Sequence, residues 1–309
     1  MDSLSDDEKK LLVGCYRVRR IEQTIASLYS SDKFQSPVHL SDGQEDISVC
    51  LAAALSDGDY SFGTYRSHAL YLARGGCLKQ FFAELMGKES GFAQGKAGSM
   101  HLAFRSSKVM GSSAIVGSTI PHSVGLSLGH QMQNKVEVVT AVMFGEGATN
   151  QGVFHESLNF ASLHNLPMLF VCENNGQSIF TKSSEQISYN LKTLVESYAI
   201  PYFYIGLNRT IGDLFHSLEQ ARSRALSERR PVFLEIETCR LREHVGPSLS
   251  PSSELTPRQK KFSDDFDKSV KAVLNSSIVA QVESEISEAL EFAENAEFAG
   301  PDLLLRDIR

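Results

Sequence analysis

The chain has 309 residues and a mass of 34.0 kDa, with 42% hydrophobic and 22% charged residues. This composition is ordinary for a globular protein, and the length is enough to bury a large core. The net charge of −7 and the lack of a long Lys/Arg block argue against a nucleic-acid partner. No apolar run reaches the roughly 18 residues that a membrane span needs, so we expect no membrane partner.

Two features bear on the compartment. The first residues, MDSLSDDEKK, are acidic and lack the layout of a signal peptide. The five cysteines are widely scattered and contain no CxxC pair, which is typical of reduced thiols. We therefore expect a cytoplasmic protein.

Hydrophobic periodicity predicts helices and strands that alternate along most of the chain. Helices are predicted at about 5–31, 43–55, 78–87, 120–133, 152–165 and 211–228, with a charged helical tail at about 256–296. Buried strands are predicted at about 138–144, 166–175, 201–206 and 231–238. The Gly/Ser-rich segment 88–119 is more typical of a functional loop than of a linker.

This alternation predicts an α/β fold with a doubly wound, mainly parallel sheet flanked by helices. We interpret residues 1–309 as one domain with helical N- and C-terminal extensions.

A lone acid lies between two glycines where the first long strand is predicted to end. Gly145 and Gly147 permit a tight turn or a close approach, while Glu146 is solvated, caps the next helix, or holds a cation. The next strand ends in Glu173 and two asparagines. Ligands bind beyond the carboxyl ends of strands in such sheets, and a helix N-terminus there favours a phosphate.

Two interpretations fit this pattern. Gly145, Gly147 and Asn150 spell GxGxxN, which with Glu173 as a ribose-binding acid is a weak match to a Rossmann nucleotide site. However, a carboxylate beside a pyrophosphate is repelled unless a cation lies between them. Glu146 and Asn175 carry hard oxygen ligands of the kind that Mg²⁺ prefers.

The motif of a glycine–acid–glycine turn followed about 28 residues later by Asn-Asn is similar to the thiamine diphosphate binding motif. Over residues 35–250 the chain resembles the alpha subunit of 2-oxo acid dehydrogenases of the pyruvate and acetoin dehydrogenase type. The matching segments are HLSDGQE (39–45), TYRSH (64–68), GKAGSMH (95–101), AIVGSTIP (114–121), NQGVFHESLNFASLHNLPMLFVCENN (150–175) and ETCRLREHVGP (237–247).

The resemblance implies thiamine diphosphate and Mg²⁺ as cofactors. It assigns the metal to the side chains of Glu146 and Asn175 and the backbone carbonyl of Gln177, and active-site roles to His39 and His244. Arg66 suits a phosphate contact because its planar fork can donate two hydrogen bonds. The implied cofactor-binding residues are Tyr65, Arg66, Ala114, Val116, Gly145, Glu146, Gly147, Ala148, Asn175 and Gln177.

Each of these residues has an ordinary interpretation when it is taken alone. His39 would be a loop histidine, His244 a solvated one, and Asn175 part of a turn. Tyr65 and Arg66 would be an exposed aromatic ring and its cation. Only their joint occurrence in the family's order favours a site.

Three positions depart from the family's pattern. Glu146 replaces the usual aspartate, Gln177 replaces an aromatic residue, and Arg242 stands where pyruvate dehydrogenases carry another histidine. Because Mg²⁺ tolerates geometric error poorly, the longer acid must be accommodated locally. These changes leave the identity of the substrate undetermined by the sequence.

The resemblance implies decarboxylation of a 2-oxo acid, or acetoin cleavage, with acyl transfer to a lipoyl-bearing acyltransferase. It also implies a beta subunit, which carries an essential glutamate, in an α2β2 heterotetramer. A non-oxidative carboligase or ketol-transferring subunit remains a rival prediction. A nucleotide-binding protein and a cofactor-poor regulatory or scaffold subunit are further alternatives.

Overall fold

The computed structural model describes residues 4–34, 36–135, 137–251, 253–303 and 305–306. Its helices are α1 (Asp6–Leu28), α2 (Glu45–Ala54), α3 (His68–Ala73), α4 (Leu78–Leu85), α5 (Thr119–Met132), α6 (Gly152–Leu163), α7 (Ser183–Gln186), α8 (Leu191–Ser197), α9 (Ile211–Ser227), α10 (Pro257–Val273) and α11 (Ser276–Asn295). Its strands are β1 (Tyr60–Phe62), β2 (Val109–Gly111), β3 (Thr140–Gly145), β4 (Met168–Asn174), β5 (Gln177–Ser178), β6 (Thr181–Lys182), β7 (Tyr202–Ile205) and β8 (Val232–Glu237).

Six strands form one sheet in the order β2-β1-β3-β4-β8-β7, and every neighbouring pair is parallel. This confirms the predicted α/β fold. The strand order reverses between β1 and β3, because the chain moves outward from β1 to β2 and then returns to the other side of β1. A crevice at such a reversal is where open α/β sheets bind ligands. Strands β5 and β6 form a separate antiparallel hairpin.

Both faces of the sheet are covered, because successive side chains along a strand point to opposite faces. In β3, Ala141 and Met143 pack with α1, α2, α4 and α9, whereas Val142 and Phe144 pack with α5 and α6. This explains why the strand is a continuous apolar run rather than an alternating one. No helix within the described ranges is long and apolar enough to cross a membrane.

The structure differs from the sequence predictions in several elements. Strands β1 and β2 were not predicted, and β2 lies inside the Gly/Ser-rich segment. Three residues are too few to show a period, so these strands depend on pairing within the sheet. Helix α3 was also missed, and the helical segment expected between the strands at 166–175 and 201–206 is two short helices, α7 and α8. The single-domain interpretation of residues 1–309 stays a prediction.

The predicted charged tail of 256–296 is confirmed as helical, and it is divided into two helices, α10 and α11. The chain is extended at Leu274, and Asn275 caps α11 by accepting a hydrogen bond from the Ile278 N–H. An asparagine before an apolar run is an N-terminal signal for a new helix.

Candidate functional site

A cavity of about 440 Å³ opens at the carboxyl edge of the sheet, beside the ends of β3 and β4 and the segment that follows β1. It therefore lies at the reversal of strand order. All of the site residues named from the sequence line it: His39, Tyr65, Arg66, Ala114, Val116, Gly145, Glu146, Gly147, Ala148, Asn175, Gln177 and His244. Their placement in one cavity is a structural finding, while their roles in binding and catalysis remain predictions.

Glu146 directly follows β3 and is only 2% exposed. The Ser183 hydroxyl donates a hydrogen bond to its Oε1 atom at 3.0 Å, and Gln151 rather than Glu146 is the N-cap of α6. Burial raises the pKa of Glu146 to about 7. The acid is therefore neither solvated nor a helix cap, and a bound cation would favour its ionised form.

The turn after β4 supplies two further oxygen donors. The Asn175 side-chain oxygen accepts a hydrogen bond from the Gln177 N–H at 3.1 Å, and Gly176 has a φ of +85°. Both Asn175 and Gln177 line the same cavity as Glu146. Carboxylate, amide and carbonyl oxygens together form a donor set suited to Mg²⁺.

No group of three or more His, Cys, Asp or Glu side chains suited to a metal occurs in the described part of the chain. A metal in this cavity would therefore depend on amide and backbone oxygens beside Glu146. Gly147 also leaves no room for a side chain, because a Cβ there would lie 2.0 Å from the Ser178 hydroxyl. A side chain at this position would therefore require Ser178 of the hairpin to move.

Arg66 connects two loops at the mouth of the cavity. Its guanidinium donates hydrogen bonds to the carbonyl oxygens of Leu40 at 2.7 Å and His244 at 2.9 Å. Two of its five N–H donors are thus used within the protein, and fewer remain for a phosphate than the sequence prediction assumed. Arg66 therefore orders the segments that carry His39 and His244 in addition to facing the cavity.

His39, Tyr65 and His244 form a cluster of rings in this cavity. Ring centroids are 4.7 Å apart for His39 and Tyr65, 5.1 Å for the two histidines, and 5.4 Å for Tyr65 and His244. Burial, together with the charge of Arg66, lowers the pKa of His39 to about 3 and that of His244 to about 4. Both imidazoles are consequently neutral near pH 7.

The Nδ1 atom of His39 is buried and has no hydrogen-bond partner. The side-chain oxygen of Gln44, which also lines the cavity, is buried without a partner as well. Buried polar atoms without partners are costly, so both atoms indicate a ligand or water in this space.

Sequence reasoning missed several side chains of the cavity, including those of Gln44, Glu173 and Arg240. Gln44 and Arg240 lie inside segments that carry the family resemblance, and Glu173, considered only for a nucleotide site, ends β4. Arg240 is 2% exposed and donates to the Ile179 carbonyl at 3.0 Å. Burial raises the pKa of Glu173 to about 8. The sequence could have indicated these residues, because they lie at strand or loop ends beside the recognised motifs.

Arg242, one of the departures from the family's pattern, does not line the cavity. Its Nε donates to the Asp42 carboxylate at 2.8 Å, and both side chains are largely buried. This ion pair joins the segment of His39 to the segment of His244. Arg242 thus has a structural partner and is not placed to transfer protons in the cavity.

Comparison with known proteins gives a consistent result. The family model described as "Dehydrogenase E1 component" matches residues 14–302. The Arabidopsis thaliana mitochondrial pyruvate dehydrogenase E1 component subunit alpha-1 is 31% identical over 94% of this chain and 77% of its own length. The Saccharomyces cerevisiae subunit alpha is 35% identical over 77% of this chain and 57% of its own.

The Solanum tuberosum subunit alpha is 43% identical over 158 residues, which is 51% of this chain but 40% of that protein. Several of these alignments thus span well under two thirds of the relative's length. The family match nevertheless covers the strands, the cavity and the loops described above. The chain belongs to the dehydrogenase E1 component family, as an alpha-type subunit of the thiamine diphosphate-dependent 2-oxo acid dehydrogenases.

Proposed function

We propose that this chain is the alpha subunit of an enzyme that uses thiamine diphosphate and Mg²⁺ to decarboxylate a 2-oxo acid and transfer the acyl group to a lipoyl domain. The observation that carries the proposal is the single cavity at the strand-order reversal. It combines the oxygen donors Glu146, Asn175 and Gln177 with two neutral histidines.

The oxygen donors would hold the metal against the diphosphate, and Arg66 would add positive charge at the same anion. Thiamine diphosphate, when bound, would supply the carbanion stabilisation that decarboxylation requires. The unpartnered Nδ1 of His39 is free to exchange a hydrogen bond or proton with a ligand. His244 faces it across the ring cluster. A neutral imidazole offers a ring nitrogen that can accept a hydrogen bond, and an anion bound nearby would raise the low pKa values of both histidines toward the range in which they transfer protons.

An exposed apolar surface beside the cavity supports a beta-subunit partner. We call Ile115, Val116, Ile179 and Phe180 the apolar rim; they are 69%, 44%, 51% and 70% exposed. Three of them also line the cavity. Exposed apolar side chains next to a ligand cavity are typical of a protein interface. We propose that a beta subunit covers it in an α2β2 heterotetramer.

The test is purification of the chain together with its beta subunit, followed by assay of bound thiamine diphosphate and Mg²⁺. We expect both to be retained. In a Glu146→Ala variant the cofactor should be lost in Mg²⁺-containing buffer, while assembly with beta persists. Retention of NAD instead of thiamine, or unchanged retention in Glu146→Ala, would contradict the proposal.

The substrate and the reaction outcome need a separate assay, because Arg242 stands where pyruvate dehydrogenases carry another histidine. The holoenzyme is given a panel of 2-oxo acids and acetoin, with an artificial electron acceptor or a lipoyl domain. Decarboxylation coupled to acceptor reduction supports our proposal. Carbon–carbon bond formation with aldehydes, without acceptor reduction, would support the non-oxidative carboligase instead.

We also propose a cytoplasmic location, which rests on the five free cysteines of the structure. The relatives compared above are described as mitochondrial proteins, and that description applies to them. Fractionation of cells that express the full-length protein would decide the location.

A further inference from the structure

Glu146 is longer than the aspartate usual in this family by one methylene group. In this structure its side chain has a hydrogen-bond partner, Ser183, that holds the longer carboxylate. The Ser183 hydroxyl donates to Oε1 of Glu146 at 3.0 Å. Glu146 is 2% exposed, and Ser183 is half-buried at the first position of α7. The backbone N–H groups of Asn175 and of Glu146 itself also donate to this carboxylate, which lines the cavity, and Ser183 is the side chain that holds its Oε1 atom.

Ser183 is itself fixed to the turn that carries the other two oxygen donors. Its backbone N–H donates to the Gly176 carbonyl at 2.9 Å, and its own carbonyl accepts from the Ile187 N–H at 2.9 Å. Gly176 lies between Asn175 and Gln177. Ser183 thus links the acid at the end of β3 to the turn at the end of β4 that carries the other two oxygen donors.

We propose that Ser183 is a positioning residue that orients Glu146 for the divalent cation and thereby sets the metal affinity of this subunit. The inference rests on the proposed function. Its physical basis is that a glutamate has one more rotatable bond than an aspartate, and Mg²⁺ demands near-ideal octahedral geometry. Mutation of a residue that hydrogen-bonds to a metal ligand typically weakens metal binding by about 10- to 100-fold.

The experiment uses the co-purified alpha–beta complex, stripped of metal and titrated with Mn²⁺ in the presence of thiamine diphosphate. Electron paramagnetic resonance reports the free Mn²⁺ and gives a dissociation constant that does not depend on activity. We expect Ser183→Ala to weaken Mn²⁺ binding by about tenfold or more. Ser183→Thr, which keeps the hydroxyl, should stay within about twofold of the wild type.

Ser184→Ala is the matched control, because Ser184 is the exposed neighbour of Ser183. A double-mutant comparison is more decisive. In a Glu146→Asp background, Ser183→Ala should have little effect, because the shorter carboxylate no longer reaches the hydroxyl. Coupling between the two positions would assign the effect to their contact rather than to general destabilisation.

Thermal midpoints of all variants should match the wild type. If Ser183→Ala fails to assemble, Ser183→Cys provides the same comparison with a weak donor of similar shape. Equal Mn²⁺ affinity in the wild type and the hydroxyl-deleted variant would overturn the inference, as would an equal loss in the Glu146→Asp background.

These outcomes are distinct from failure of the proposed function. If the wild-type complex binds thiamine diphosphate with no dependence on a divalent cation, the proposed metal site is wrong and the inference falls with it. If the wild type depends on the metal and Glu146→Ala abolishes that dependence, while Ser183→Ala does not change it, only the inference is wrong.

Discussion

His39 is buried, packs against two other rings and is affected by the positive charge of Arg66, so it cannot accept a proton without cost. Each of these neighbours removes water or adds positive charge, and the pKa of His39 falls to about 3. Its sequence context, a histidine after Pro37 and Val38, gives no hint of this. The chemistry at this residue is therefore a product of the tertiary structure.

This shift has a consequence for stability that can be measured. Below its ordinary pKa of 6.5 the unfolded chain binds a proton at His39 and the folded chain does not, so acid favours unfolding. At pH 5 the difference amounts to about 2 kcal/mol. A His39→Gln variant should lose less stability than the wild type between pH 7.5 and pH 5, as measured by thermal unfolding.

His216→Gln is the control for this comparison, because the His216 side chain is 70% exposed. It should follow the wild-type pH dependence. Equal acid sensitivity in His39→Gln and the wild type would show that His39 is protonated without cost in the folded protein.

At the scale of elements, the Gly/Ser-rich segment is held by one buried acid. Glu84, near the end of α4, is 1% exposed. Its Oε2 atom accepts from the N–H groups of Ala93 and Gly95 at 2.9 and 3.0 Å, and its Oε1 atom accepts from those of Ala97 and Gly98 at 2.7 and 3.1 Å. Four backbone donors therefore converge on one carboxylate.

We expect Glu84→Gln to loosen this segment. In the variant an amide NH₂ group would face two backbone N–H groups that in the wild type donate to a carboxylate oxygen, so these two donors would lose their acceptor. A hydrogen bond to a charged group contributes about 1.5–3 kcal/mol, and a donor left without a partner costs a similar amount. Hydrogen exchange at residues 93–98 should accelerate, and the thermal midpoint should fall. Glu89→Gln, an identical change at an exposed site, should have neither effect.

The elements also show what sequence could and could not predict. Long periodic or continuous apolar segments, such as α1, β3 and β4, were placed to within a few residues, because burial of a face imposes the pattern. The site segments were recognised because their residue types and order are specific. β1 and β2 were missed because three residues depend on sheet neighbours rather than on local sequence. The Ser183–Glu146 and Asp42–Arg242 contacts could not be predicted, because they join positions 37 and 200 residues apart.

For the whole molecule, the main question is what covers the apolar rim. Its two most exposed members, Ile115 and Phe180, belong to different segments, the Gly/Ser-rich segment and the β5–β6 hairpin. Burying a large apolar side chain contributes about 1.5–3 kcal/mol. Two such side chains would account for about 3–6 kcal/mol of association, which is at least a hundredfold in the dissociation constant.

We therefore expect an Ile115→Asp/Phe180→Asp variant to lose the beta subunit when a tagged alpha chain is purified from co-expressing cells. Its own folding should be unaffected, because both side chains already face solvent, and the thermal midpoint of the chain alone would check this. Leu305→Asp, a change at a 74% exposed residue outside the rim, should leave the complex intact. If the rim variant still retained the beta subunit, the partner would contact another surface, and the cavity would not be completed at this edge of the sheet.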